Sequence, residues 1–313
     1  MTTRRTFLQS TALTFAGFSF AGCQVGVKAS GQASGQKPVR ISLNTSTIRF
    51  YRFPVEKQIE VCGAAGFDGI ELWVSDIQDY LKKGGNLADL ARKLKDHRLV
   101  LENIIGFAPW MSDDDQQRKQ GQLQMQQEMD MTAQLGGKYI AAPVMGIARI
   151  EREKMDEYAR RFRQILEIGK AAGVIPLLEI WGSGALFNLA DAAHICLGAG
   201  HPDANLLLDF YHLYRGGSAF DSLKLLNIAR LPLFHINDYP AMPPREQLKD
   251  SDRVYPGDGI CPFHTILPFL FRSGFNGGFS VELFNEAYCK QPVEQMLALT
   301  LEKTQQLINM NVS

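Results

Sequence analysis

The chain has 313 residues, 45% of them apolar, and 33 Lys plus Arg against 33 Asp plus Glu, for a formal net charge of zero. The length suits one large domain, and the charge balance gives no basic excess to hold nucleic acid or an anionic membrane. The five cysteines, at 23, 62, 196, 261 and 289, form no C-x-x-C, so a thiolate metal site finds no support and free core cysteines are expected.

The first 23 residues differ from the rest. Arg4 and Arg5 precede an apolar, small-residue stretch from Phe7 to Ala21, the pattern of a signal segment rather than a folded element. Thr3-Arg4-Arg5-Thr6-Phe7-Leu8 resembles a twin-arginine export signal. Its partner would be the twin-arginine machinery, and the mature protein would be periplasmic or otherwise extracytoplasmic. Phe20-Ala21-Gly22-Cys23 resembles a lipoprotein processing box with Cys23 as the lipid anchor, Phe standing where Leu is usual. The alternative is an ordinary cut nearby that leaves a soluble protein. A permanent span is not expected from about 15 apolar residues. Residues 24–38 read as a polar Gly/Ser/Gln linker, and a single catalytic domain is expected over 39–313.

Eight short apolar runs follow. They are Arg40–Leu43, Gly69–Leu72, Leu99–Asn103, Lys138–Ala142, Val174–Glu179, Asn205–Asp209, Leu233–Asn237 and Phe279–Leu283. Helical patterns lie between them, including Val55–Ala65, a helix ending near His97, Gln116–Leu135 and Met155–Ala172. Glycines mark the joints in AAGFDGIEL, QLGGKYI, AAGVIPLLE and RSGFNGGFSVEL, closing a helix and turning the chain into the next strand. Eight such units in this length predict an α/β fold, a closed (β/α)8 TIM barrel. No G-x-G-x-x-G opens a helix after the first strand, so dinucleotide binding lacks its mark.

Glu179, Asp209, His235 and Glu282 fall at the ends of the last four runs. A parallel barrel brings strand ends together at its C-terminal face. Buried carboxylates need a counter-charge, and three of them with one imidazole suit a divalent ion, Mn²⁺ or Mg²⁺ first, with Co²⁺ and Zn²⁺ open. One ion per subunit is expected. His212, three residues past Asp209, can reach the mouth and bond a substrate oxygen, the alternative being a contact to Asp209. Asp238 can orient His235 or shape the rim. Arg253, in the glycine-containing loop Arg253-Val-Tyr-Pro-Gly-Asp-Gly259, offers a forked donor to substrate. Trp73, Trp110, Trp181, Phe107 and Tyr211 follow strand ends, where aromatic faces can stack on a sugar ring; Trp110 and Trp181 are taken as substrate contacts. Glu71 reads equally as a site residue or an anchor beneath it. His264 is read as structural, near the start of the last helix. No G-x-x-x-x-G-K-[ST] is present, which favours an unphosphorylated sugar.

GFDGIEL, Glu179, Asp209-x-x-His212, His235-x-x-Asp238, Arg253-x-x-Pro-Gly-x-Gly259 and Glu282 together resemble the xylose-isomerase-like barrels of the sugar phosphate isomerase/epimerase family. That family includes ketose 3-epimerases, hydroxypyruvate isomerase and inosose dehydratase. The resemblance covers about residues 40–305. It implies that Glu179 and Glu282 form the acid-base pair while touching the metal, that Asp209 and His235 complete the metal site, and that His212 and Arg253 contact substrate. It also implies a homo-oligomer, a dimer or tetramer. The expected chemistry is an isomerase or epimerase acting on a keto-sugar through an enediolate. The alternatives are a dehydratase or lyase on a keto-sugar or inosose, and a non-catalytic sugar-binding lipoprotein.

Overall fold

Apolar strands separated by amphipathic helices bury both faces of a sheet only if the helices wrap it. The computed structural model, which describes residues 39–312, shows this arrangement closed on itself. The strands are β1 (Arg40–Asn44), β2 (Gly69–Trp73), β3 (Val100–Ile105), β4 (Tyr139–Pro143), β5 (Ile175–Glu179), β6 (Leu206–Asp209), β7 (Leu233–Ile236) and β8 (Gly278–Val281). All neighbours pair in parallel, and β8 pairs back onto β1. The expected TIM barrel is therefore the observed fold, and the strands fall within two residues of the expected ranges. The signal and lipid-anchor readings of residues 1–23, and the linker reading of 24–38, lie outside the described residues.

The outer layer holds α1 (Val55–Ala65), α2 (Val74–Lys82), α3 (Leu87–Asp96), α4 (Asp115–Gln134), α5 (Met155–Ala172), α6 (Leu189–Ala199), α7 (Phe210–Arg215), α8 (Phe263–Arg272) and α9 (Val293–Asn309). Capping sets their starts: the Asp114 side chain accepts from the Gln117 N–H, and Asn188 from the Asp191 N–H. The end of α5 shows the role of glycine at the joints. Gly173 takes φ 72°, a left-handed conformation, and β5 begins two residues later. His264 sits at the start of α8, but α9 follows it, so α8 is not the last helix. Cys62, Cys196, Cys261 and Cys289 are free.

Strand period two divides the core. One set of side chains packs outward against the helices, among them Leu178, Leu208, Phe234 and Phe279. The other set points into the barrel, where Ile105, Ala141, Leu177, Leu207 and Leu233 form an apolar layer. Two residues further along the last strands, the same inward face carries Glu179, Asp209 and His235. Glu282 stands two residues beyond Ser280, the inward partner of His235, and one residue past the end of β8. The barrel thus has an apolar floor and a charged mouth.

Candidate metal and substrate site

Register places the charged groups side by side: Asp209 pairs with His235, and His235 with Ser280. Glu179, Asp209, His235 and Glu282 are all buried. The Nδ1 of His235 faces three carboxylates, 3.2 Å from Glu282 Oε2 and 3.8 Å from both Glu179 Oε1 and Asp209 Oδ2. None is aligned well enough to be a hydrogen bond to it, and Glu179 Oε2 likewise has no partner. Orphaned buried atoms facing one another are what a cation between them would satisfy.

The other ring nitrogen of His235 is occupied. Its Nε2 lies 3.1 Å from Glu71 Oε2, which also accepts from Asn103 Nδ2 at 2.8 Å. Glu71, completely buried on β2, is the group that orients His235. Asp238 does not do so. Its carboxylate accepts the backbone N–H groups of Tyr239, Gly257, Gly259 and Cys261, and so shapes the loop after β7.

Arg253 enters from that loop and is buried among acids. Its Nη1 donates to Glu282 Oε2 at 2.7 Å and to Asp209 Oδ2 at 3.1 Å, and its Nη2 to Asp250 Oδ1. The guanidinium lies 4.5 Å over the Tyr211 ring and 5.0 Å over Phe284. Asp209 also caps α7, its Oδ1 accepting the His212 N–H at 2.7 Å. His212 lines the mouth and contacts Asp209 through its backbone. Its Nδ1 accepts from the Gly182 N–H at 3.1 Å, which leaves the ring proton on Nε2. That Nε2 lies 3.0 Å from Arg253 Nη2. Two donors therefore lie side by side, and one oxygen in front of the pair would accept from both.

Atoms of Asp209, His212 and Glu282 also lie within 4.8 Å of one another, a second grouping able to hold an ion. The two groupings share Asp209 and Glu282; they differ in the imidazole, and only the first includes Glu179. His235 has a free nitrogen amid the acids, whereas both nitrogens of His212 face N–H groups. The chemistry of the donors therefore favours His235.

The electrostatics separate the two glutamates. Burial pushes the Glu179 carboxyl up to about 8, with His235 opposing and Glu282 adding to the rise. Burial also raises Asp209, to about 6, against the pull of Arg253. Burial acts on Glu282 in the same sense, but His235 and Arg253 outweigh it and hold that carboxyl well below the usual range. Burial disfavours a charged His235, yet Glu282 and Glu71 keep it well above its ordinary value. Burial and the neighbouring Arg253 hold His212 well below its own.

A cavity of about 200 Å³ opens over this cluster, lined by Glu179, His212, Arg253 and Glu282 and walled by Trp73, Phe107, Trp181 and Phe284. Trp181 is therefore where the sequence placed it. Trp110 is not. It is completely buried, donates its indole N–H to the Pro143 carbonyl at 2.9 Å and packs against Phe162 beneath the loop after β3. Tyr211 lies under Arg253 rather than on the cavity wall. Sequence reasoning missed Phe284, and also two asparagines. Asn237 donates to Asp209 Oδ2 at 2.8 Å, and Asn44 donates to Glu282 Oε1 at 3.0 Å. Only their position at strand ends could have signalled them.

The family described as "Xylose isomerase-like TIM barrel" matches residues 59–306. The protein named inosose isomerase from Bacillus velezensis is 28% identical over 260 residues, covering 82% of this chain and 92% of the relative. Among solved structures, an IOLI protein with a binding zinc atom aligns with a TM-score of 0.78 at 24% identity, over 88% of this chain and all of that one. L-ribulose 3-epimerase aligns with a TM-score of 0.67 at 19% identity, over 88% of this chain and 96% of that one. At these identities the structural likenesses show the fold.

Proposed function

The chain belongs to the xylose isomerase-like TIM barrel family, and on that footing we propose that it is a divalent-metal-dependent isomerase or epimerase of an unphosphorylated keto-sugar, inosose or related sugar derivative. The observation that carries this reading is the partnerless Nδ1 of His235 facing Glu179, Asp209 and Glu282 at the mouth of the barrel. Those four residues would hold the ion, Mn²⁺ or Mg²⁺ by the oxygen-rich donor set, with Co²⁺ and Zn²⁺ also compatible. Bound there, the ion supplies Lewis acidity that lowers the cost of charge on a substrate carbonyl oxygen.

The remaining work falls to side chains. Glu282, whose carboxylate lies 2.7 Å from Arg253 Nη1, is the base that removes a proton from the carbon beside the carbonyl. Glu179, the other carboxyl lining the cavity, carries the return proton transfer. His212 Nε2 and Arg253 Nη2 converge on one spot, where a substrate hydroxyl would accept from both. Trp73, Phe107, Trp181 and Phe284 offer flat apolar walls to a sugar ring and exclude water. The similarity to a protein named inosose isomerase supports the substrate class.

Proton NMR of the metal-loaded protein with keto-sugars and inososes in D₂O tests the proposal. Deuterium should enter the carbon beside the carbonyl, and should fail to do so in Glu179→Gln and Glu282→Gln. An epimer or a carbonyl shift identifies the reaction, whereas an enone product would replace isomerisation with dehydration. No exchange on any substrate, with the ion bound, would refute the assignment. On the export reading of residues 1–23 we further propose that the mature chain is extracytoplasmic, either anchored at a lipidated Cys23 or released by an ordinary cut nearby. A fusion of those residues that stays in the cytoplasm of cells with a working twin-arginine system would refute that part.

A further inference from the structure

A second cavity adjoins the first. It measures about 530 Å³ and lies at the C-terminal ends of β1 and β2, and Trp73 lines both it and the reaction cavity. The reaction cavity alone, about 200 Å³, is smaller than the roughly 300–1,000 Å³ usual for a small-molecule site.

The second cleft contains polar atoms that the protein leaves unpaired. Ser46 is 2% exposed and Gln58 5%, both line the cleft, and Ser46 Oγ and Gln58 Oε1 have no partner. The orientation of the Gln58 amide is fixed, because its Nε2 donates at 3.0 Å to both the Phe53 carbonyl and Asp76 Oδ2. Its oxygen must therefore be the atom left wanting a donor. Arg52, which also lines the cleft, ends the short helical turn before it in a left-handed conformation, φ 55° and ψ 36°, its N–H donating to the Arg49 carbonyl.

The charge of the cleft selects among ligands. Arg49, Arg52 and Lys83 are matched in number by Glu56, Asp76 and Asp79, so no net field favours an ion. Unpaired hydroxyl and amide oxygens beside an indole face suit a neutral ring bearing hydroxyl groups. The wall between the cavities is also tied to the chemistry. The Trp73 indole N–H donates to Asn44 Oδ1, and Asn44 Nδ2 donates to Glu282 Oε1, each at 3.0 Å. A ring seated against Trp73 bears, through one asparagine, on the carboxylate assigned as base.

We infer that this cleft is a second sugar subsite, so that the substrate is a neutral two-ring glycoside whose keto ring occupies the metal site and whose other ring lies beyond Trp73. This deepens the proposed function and rests on it. The test is isothermal titration of the Mn²⁺-loaded full chain with the keto-disaccharides maltulose, lactulose and isomaltulose, and with D-glucose, D-fructose and glucose 6-phosphate. At least one disaccharide should bind about tenfold more tightly than either monosaccharide, the order expected from one or two recovered hydrogen bonds. Ser75→Trp, at an exposed position on the cleft rim, should erase that difference and leave monosaccharide affinity within about twofold. Disaccharides no tighter than monosaccharides, a preference for glucose 6-phosphate, or a disaccharide advantage that survives Ser75→Trp would each overturn the subsite. Deuterium exchange on monosaccharides, measured in parallel, separates the two readings: if exchange persists without a disaccharide advantage, only the subsite falls.

Discussion

Replacing Arg253 by methionine tests whether a divalent ion and this guanidinium answer to the same carboxylates. The side chain is 1% exposed and donates to Glu282 at 2.7 Å and to Asp209 at 3.1 Å. Methionine keeps most of the apolar stem and removes the charge. Removing one partner of a buried pair costs about 3–5 kcal/mol, because the other charge stays buried and unpaired. In chelator-stripped protein the loss should reach that range, since two carboxylates lose the same partner. A domain of this size should then melt roughly 6–10 °C lower. With saturating Mn²⁺ the ion compensates both acids, and the loss should shrink to about 1–2 kcal/mol, the residue of the Asp250 contact and the stacking on Tyr211. Thermodynamic linkage then requires the variant to bind Mn²⁺ more tightly than the parent. Urea unfolding with and without the ion reads both quantities. Equal destabilisation in the two conditions would refute the shared role.

Three further outcomes follow from the same contacts. Glu71→Gln should weaken metal binding roughly 10–100-fold while the fold persists, because it changes the group that orients His235; an unchanged affinity in chelator competition would remove Glu71 from that role. Trp110→Phe should lower stability by about 1–2 kcal/mol through the lost bond to Pro143, and should leave sugar affinity unchanged; a rise in KM at constant stability would return Trp110 to the mouth. The raised Glu179 value of about 8 means that this carboxyl stabilises the metal-free fold fully below its unfolded value, near 4.5, and that the contribution is lost as pH climbs toward 8. Metal uptake strips the same proton, so affinity should rise with pH across that window. Calorimetry in buffers of different ionisation enthalpy should show about two protons released near pH 7, and no release would refute the assigned ligands.

The barrel and the four central residues were legible because each rests on a local pattern. Apolar runs alternating with helices specify a closed parallel sheet, and a charged residue ending such a run stands out. The inward face needs only period two: Leu177 then Glu179, Leu207 then Asp209, Leu233 then His235. What was left open, as for Glu71, or missed, as for Asn44, depends on contacts distant in sequence. Glu71 and His235 are 164 residues apart and meet across the barrel, and Asn44 reaches Glu282 over 238 residues. No local spacing encodes such pairs. The helix α2 escaped for a different reason. It starts at Val74, directly after β2, with no turn residue or side-chain cap to announce it. Trp110 misled because position after a strand does not fix direction. The loop after β3 folds back, and the indole N–H finds its acceptor in the protein rather than at the mouth.

The charges explain why a site so rich in acid tolerates a buried arginine. Near neutral pH Glu179 favours its proton and His235 carries one, while Arg253 answers Asp209 and Glu282. Those five groups then balance without any ion. A divalent cation brings two positive charges and needs Glu179 ionised and His235 neutral, so two protons leave as it enters and the balance is kept. Arg253 therefore need not leave the site for the ion to bind. It has only to give up its hold on carboxylate oxygens, and its Nη2 already lies beside His212 Nε2, at the spot where a substrate oxygen would accept from both. The same guanidinium thus serves two states of the site, as counter-charge before loading and as substrate donor after it. Lysine would not serve both, because its single ammonium cannot address Asp209 and Glu282 with one arm and His212 with the other.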